Sequence, residues 1–149
     1  MTRRSRFLQP GHLIATVEPT DVTTILGSCV SVCLWDEQRR IGGLNHFMLP
    51  LASSRISSPR FGDVAMSKLL EELRAIGARI PFLQARVFGG SCMFETLQSE
   101  THLGRKNVEL ALNFLQRTGI AAVQVETGGN RGRKVIFRTD EGTACLTSI

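Results

Sequence analysis

The chain contains no tyrosine and a single tryptophan, and none of its apolar runs approaches the roughly 18 residues that a membrane-spanning helix requires. The missing tyrosine leaves eight phenylalanines to supply most of the aromatic surface, and they do not interleave with the basic residues. The stacking platform by which proteins hold single-stranded nucleic acid is therefore not visible. No secretory leader is expected either. Arg3, Arg4 and Arg6 open the chain, but Gln9, Pro10, Gly11 and His12 interrupt any apolar core behind them. The expected location is the cytoplasm, where thiols stay reduced. Cys-x-x-Cys is also absent. Cys29 and Cys33 read as members of one strand, which would separate them by about 13 Å at ~3.3 Å per residue. That is too far for a disulfide or a shared zinc ion, so no metal site is expected. There is no internal repeat and no long linker.

What is present fits one domain, spanning 1–149, with a single core and a flexible lead over 1–10. The net charge of +5 is concentrated in the N-terminal arginines and in Arg131, Arg133, Lys134 and Arg138. A basic face of this kind attracts nucleic acid, anionic membrane or an acidic protein. With no stacking platform and no membrane-spanning run, it reads first as a solvated surface, and nucleic acid is not expected as a partner.

Two helices are marked by apolar periodicity. Met66, Leu69, Leu70, Leu73 and Ile76 recur at helical spacing between a capping Asp63 and Gly77. Val108, Ala111, Leu112 and Leu115 form a second stripe over about 105–118, with Gly119 as the stop. Strands are predicted at 11–17, 28–35, 41–48, 83–88, 121–126, 134–138 and 143–146, punctuated by glycine pairs at 42–43, 89–90 and 128–129. In 28–35, Val30, Val32 and Leu34 alternate with Ser31, Cys33 and Trp35, the pattern of a half-buried strand. The serine-rich stretch 52–59 reads as a loop. The fold class is an α/β (α+β) sandwich, mixed β-sheets covered by two main helices.

The chemistry concentrates in 23–50, TTILGSCVSVCLWDEQRRIGGLNHFMLP. A cysteine follows Leu26-Gly27-Ser28 directly, and a histidine lies seventeen positions later. A thiol needs a base to become a nucleophile, and an imidazole is the usual one. Gly27 permits a tight turn whose N–H groups, on Ser28 and Cys29, can stabilise an oxyanion. Against this, free cysteine is among the most buried residue types, and His46 in an apolar run fits a satisfied core histidine. Thr23 and Thr24 both lie close enough to orient the imidazole, and the residues alone do not choose between them.

The segments LGSCVSVCLWD, GGLNHFMLP, FGDVAM, VFGGSCMF and TGGNRGRKV occur in an order that closely resembles the CheD family of chemoreceptor glutamine deamidases, over nearly the whole chain. The resemblance implies a Cys-His-Thr site with Cys29 as nucleophile, His46 as base and Thr23, rather than Thr24, as the orienting group, with Gly27 and Ser28 as backbone support. It also implies a hydrolase of chemotaxis signal transduction that converts receptor glutamines to glutamate without a cofactor. In some members it implies hydrolysis of receptor methyl esters and binding of a CheC-type phosphatase. Gly89, Gly90, Ser91 and Cys92 would border the site. Cys92 departs from the pattern, which commonly has Ala, Ser or Asn there; it is either an inert thiol or a redox partner of Cys29. Arg131, Arg133 and Lys134 would dock the acidic receptor helices. The alternative within the same family is an interaction protein that binds receptor or phosphatase with little catalysis.

Overall fold

The computed structural model describes residues 2–52, 57–92 and 102–149. Part of the serine-rich loop, 53–56, and the stretch 93–101, which includes Met93 of the second Gly-Gly motif, lie outside the described residues.

The strands are β1 (Arg4–Phe7), β2 (Leu13–Thr16), β3 (Thr20–Leu26), β4 (Val30–Asp36), β5 (Ile41–Asn45), β6 (Leu83–Gly89), β7 (Ala121–Thr127), β8 (Arg133–Arg138) and β9 (Thr143–Ser148). The helices are α1 (Gly62–Ala75) and α2 (Leu103–Thr118). An outer sheet runs β1-β3-β8-β9, and a central sheet runs β2-β5-β4-β6-β7; each mixes parallel and antiparallel pairs. Both helices pack on the face of the central sheet opposite the outer one, giving three layers and two cores.

β4 explains the layering. Val30, Val32 and Leu34 join the helix-side core, while Cys33 joins the core between the sheets. Six of its seven residues are buried, so the alternation predicted for a half-buried strand becomes burial on both faces. The outer sheet keeps the simpler pattern, with Val22 and Leu26 of β3 and Val135 and Phe137 of β8 turned inward.

Two strands depart from the sequence expectation. Arg4–Phe7, in the lead expected to be flexible, pairs in parallel with β3. The Arg3 guanidinium beside it bonds Asp21 at 2.9 Å and Asp140 at 2.6 Å, which ties the first residues to two other segments. β3 itself lies where no strand is predicted. At the helix ends, Gly119 adopts φ 76° and closes α2 as expected. Asp63 does not cap α1; the N-cap is Phe61, and Asp63 sits in the first turn, its Oδ1 accepting from the N–H groups of Ala52 and Val64. No helix among the described residues is long and apolar enough to cross a membrane.

Candidate active site

The register of the central sheet places Cys29 and His46 on one face. β4 and β5 run antiparallel with Cys33 opposite Leu44, and the same register continues past β5 as a bridge between Val30 and Phe47. One step further, Ser31 faces His46 and Cys29 faces Met48. Val30 and Phe47 belong to the helix-side core, so their neighbours in each strand turn toward the outer sheet. Cys29 packs against the inter-sheet core accordingly. Cys29 and His46 are thus diagonal neighbours on one face, about 7–8 Å apart along the pleat, a span within reach of an imidazole.

His46 is held from the opposite sheet. Thr24 Oγ1 lies 2.7 Å from His46 Nδ1 and 2.9 Å from the carbonyl oxygen of Leu8. A carbonyl only accepts, so the single hydroxyl proton goes to Leu8 and Thr24 Oγ1 accepts from Nδ1–H. The neutral imidazole is thereby the Nδ1–H tautomer, with the lone pair on Nε2. Nε2 is buried and has no hydrogen-bond partner among the described residues. The backbone of His46 is fixed as well, by Gly11 N–H donating to its oxygen at 2.7 Å and its own N–H donating to His12 at 3.1 Å.

The threonine therefore differs from the one the resemblance implies. Successive side chains of a strand point to opposite faces. Thr24 shares the buried face of β3 with Val22 and Leu26, whereas Thr23 is half-buried on the other face, between Phe7 and Ile136 in the ladder. Of the two threonines, Thr24 meets the imidazole.

The turn 27–29 is held by its carbonyls. The oxygen of Gly27 accepts from Ser91 N–H at 3.0 Å, that of Ser28 from Asn107 Nδ2 at 3.1 Å, and that of Cys29 from Gly90 N–H at 2.8 Å. In a trans peptide the N–H points opposite to the preceding C=O. Fixing the oxygens of Gly27 and Ser28 therefore aims the N–H groups of Ser28 and Cys29 to the other side, where they meet no acceptor in another residue among those described. These are the donors an oxyanion would need. The loop that makes two of these contacts requires glycine. Gly89 and Gly90 have φ of 107° and 67°; a Cβ on Gly89 would collide with the Cys29 oxygen, and one on Gly90 with the backbone of Gly104 in α2.

Burial sets the protonation of the pair. It pushes the Cys29 thiol up from its ordinary value, against a smaller opposing effect of the Cys29 backbone N–H. It lowers His46 to about 4. The resting pair is a neutral thiol and a neutral imidazole. Cys33, wholly buried between the sheets and pushed up to about 12, is inert by comparison.

Asn107 is the residue sequence reasoning missed. Its Nδ2 also donates to Met48 O at 3.0 Å, so one amide bridges the turn 27–29 and the strand end beyond His46. Its Oδ1 is buried without a partner, as is Ser91 Oγ. An unsatisfied buried acceptor costs about 1–3 kcal/mol. Nothing in the sequence marked it, because the stripe it shares with Gly104, Ala111 and Leu115 is rotated from the predicted one.

Of the remaining predicted residues, Cys92 donates its N–H to Gly129 at 2.9 Å and stands beside Ser91 at the site's border. Arg131 and Lys134 are exposed. Arg133 is not available for docking, because its guanidinium bonds the oxygens of Gly128 at 2.9 Å and Gly89 at 3.3 Å and braces the two glycine turns. Among the described residues there is no group of three or more His, Cys, Asp or Glu side chains placed to hold a metal ion.

A family model and curated relatives match the chain. The family model "CheD chemotactic sensory transduction" matches residues 48–148. The chain is 44% identical over 144 residues to the probable chemoreceptor glutamine deamidase CheD of Trichlorobacter lovleyi, covering 96% of this chain and 89% of the relative. It is 44% identical over 147 residues to the probable chemoreceptor glutamine deamidase CheD 1 of Anaeromyxobacter dehalogenans, covering 99% and 86%. A third relative, the probable chemoreceptor glutamine deamidase CheD of Sulfurimonas denitrificans, is 34% identical over 151 residues, covering 100% and 97%. With matches of this extent, the chain belongs to the CheD family.

Proposed function

We propose that this protein deamidates glutamine side chains of chemoreceptors to glutamate, with Cys29 as nucleophile, His46 as general base and acid, and Thr24 as the group that orients His46. The names of its relatives support the reaction and substrate class. The observation that carries the mechanism is the tautomer: Thr24 and Leu8 hold the proton on Nδ1, leaving a buried, unpartnered Nε2 on the face that also bears Cys29.

The chemistry follows from those positions. Nε2 takes the thiol proton as Sγ attacks the glutamine carbonyl carbon. The N–H groups of Ser28 and Cys29 receive the oxyanion; one such donor is worth about 2.7–4 kcal/mol. His46 returns the proton to the departing ammonia, leaving a thioester on Cys29. Water, deprotonated by the same Nε2, releases glutamate and restores the thiol. A neutral threonine supports the transient imidazolium less than a carboxylate would, so turnover is slow. The same thioester route would release methanol from a glutamate methyl ester. Arg131 and Lys134 supply the basic docking surface. Arg131 lines a groove of about 390 Å³ with Gly128, Gly129 and Leu146, beside the turn that holds Gly89 and Cys92.

The thioester is open to trapping. Incubation of a cognate receptor cytoplasmic domain with the protein and hydroxylamine should yield glutamyl hydroxamate at the sites that otherwise become glutamate. Conversion without hydroxamate would reject the thioester. A receptor that binds and is neither converted nor trapped would make the chain an interaction protein.

A further inference from the structure

We infer that Asn107 is a positioning residue for the oxyanion donor of Cys29, placed on α2 outside the Cys-His-Thr set. The orientation of its amide is fixed by its partners. Ser28 O and Met48 O only accept, so the group facing both must be the NH2, and the buried Oδ1 is left without a donor. Because the Ser28–Cys29 peptide is planar and trans, holding the Ser28 oxygen determines the direction of the Cys29 N–H. The second contact ties that peptide to Met48, two residues beyond His46 and opposite Cys29 in register. Asn107 therefore keeps the donor, the thiol and the base strand in one frame while touching none of the reacting atoms. Ser91 does the corresponding work for the Ser28 N–H, but through its backbone N–H, which only a proline would remove.

The role rests on the thiol mechanism, and its test separates it from the receptor reaction. Acylation of Cys29 by p-nitrophenyl acetate passes through an oxyanion, whereas alkylation by iodoacetamide does not. Both rates are read by intact-protein mass spectrometry, without receptor. In Asn107→Ala the acylation rate should fall on the order of 100-fold, the size of effect a small misplacement produces, while alkylation stays within about 2-fold of wild type. Asn107→Ser keeps one donor and should fall between. With receptor, the loss should appear in kcat and leave KM nearly unchanged. Equal loss of acylation and alkylation, an unchanged ratio in a folded variant, or failure of both variants to fold would each overturn the assignment and make Asn107 a structural residue. Wild type that acylates normally but does not convert receptor would instead count against the deamidase reading and leave the Asn107 result standing.

Discussion

The two halves of the site are anchored by different parts of the chain. The base depends on the N-terminal part: Leu8 O fixes the Thr24 hydroxyl, Thr24 fixes Nδ1, and Gly11 and His12 hold the His46 backbone. The nucleophile turn depends on residues far downstream of it, namely Gly90, Ser91 and Asn107. The base is held by a side-chain relay between sheets, the thiol by backbone carbonyls. Each half can therefore be damaged separately, and the damage should look different.

On the base side a loss comparable to that of Asn107→Ala is expected. Thr24→Val leaves a buried Nδ1–H without an acceptor, a cost of about 1–3 kcal/mol, and should lower kcat about 10- to 100-fold. Thr24→Ser, which keeps the oxygen, should retain most activity. Thr23→Val should change kcat little, since Thr23 lies on the other face of β3. Alkylation of Cys29 at a pH high enough to ionise the thiol should be the same in all three. A Thr23→Val loss exceeding that of Thr24→Val would overturn the relay.

A smaller effect concerns stability. His46 is lowered to about 4 in the fold from an ordinary 6.5, so on acidification the unfolded chain binds the proton first. The stability due to neutral His46 is complete above pH 6.5 and is lost as the pH falls toward about 4, at most roughly 3 kcal/mol for this one group. Denaturant unfolding at pH 7 and pH 4.5 should show this loss in the wild type and a smaller one in His46→Gln. Equal losses would show that His46 is not buried as a neutral ring.

Smaller still is the docking effect. Arg131→Glu should weaken receptor binding roughly 2- to 5-fold at low salt and flatten its salt dependence. Binding measured at two ionic strengths decides it; unchanged binding would make this face merely solvated. Arg133→Glu is no substitute, because that guanidinium holds the carbonyl oxygens of Gly89 and Gly128.

Much of this was legible in the sequence because short segments carried it. The 29–46 pair flanks consecutive strands of one hairpin, and seven of the nine strands and both α-helices among the described residues announced themselves by apolar period or glycine punctuation. β3 did not, because Thr20, Asp21, Thr23 and Thr24 interrupt any apolar run there. Its inward face buries Thr20 and Thr24 beside Val22 and Leu26, and polar groups become tolerable there only once hydrogen-bonded partners exist. Without β3 as a strand there was no face parity to separate Thr23 from Thr24. β1 was missed because all four of its residues are exposed; pairing with β3 and the ion pairs of Arg3, rather than burial, hold it. Asn107 needed the third dimension, since its partners lie 79 and 59 residues away.

The most direct measurement is peptide mass spectrometry of a cognate chemoreceptor cytoplasmic domain after incubation with wild-type protein and, in parallel, with Cys29→Ala. Glutamine-to-glutamate conversion with the wild type and none with the variant is the predicted result. Undiminished conversion by Cys29→Ala would contradict the thiol mechanism outright.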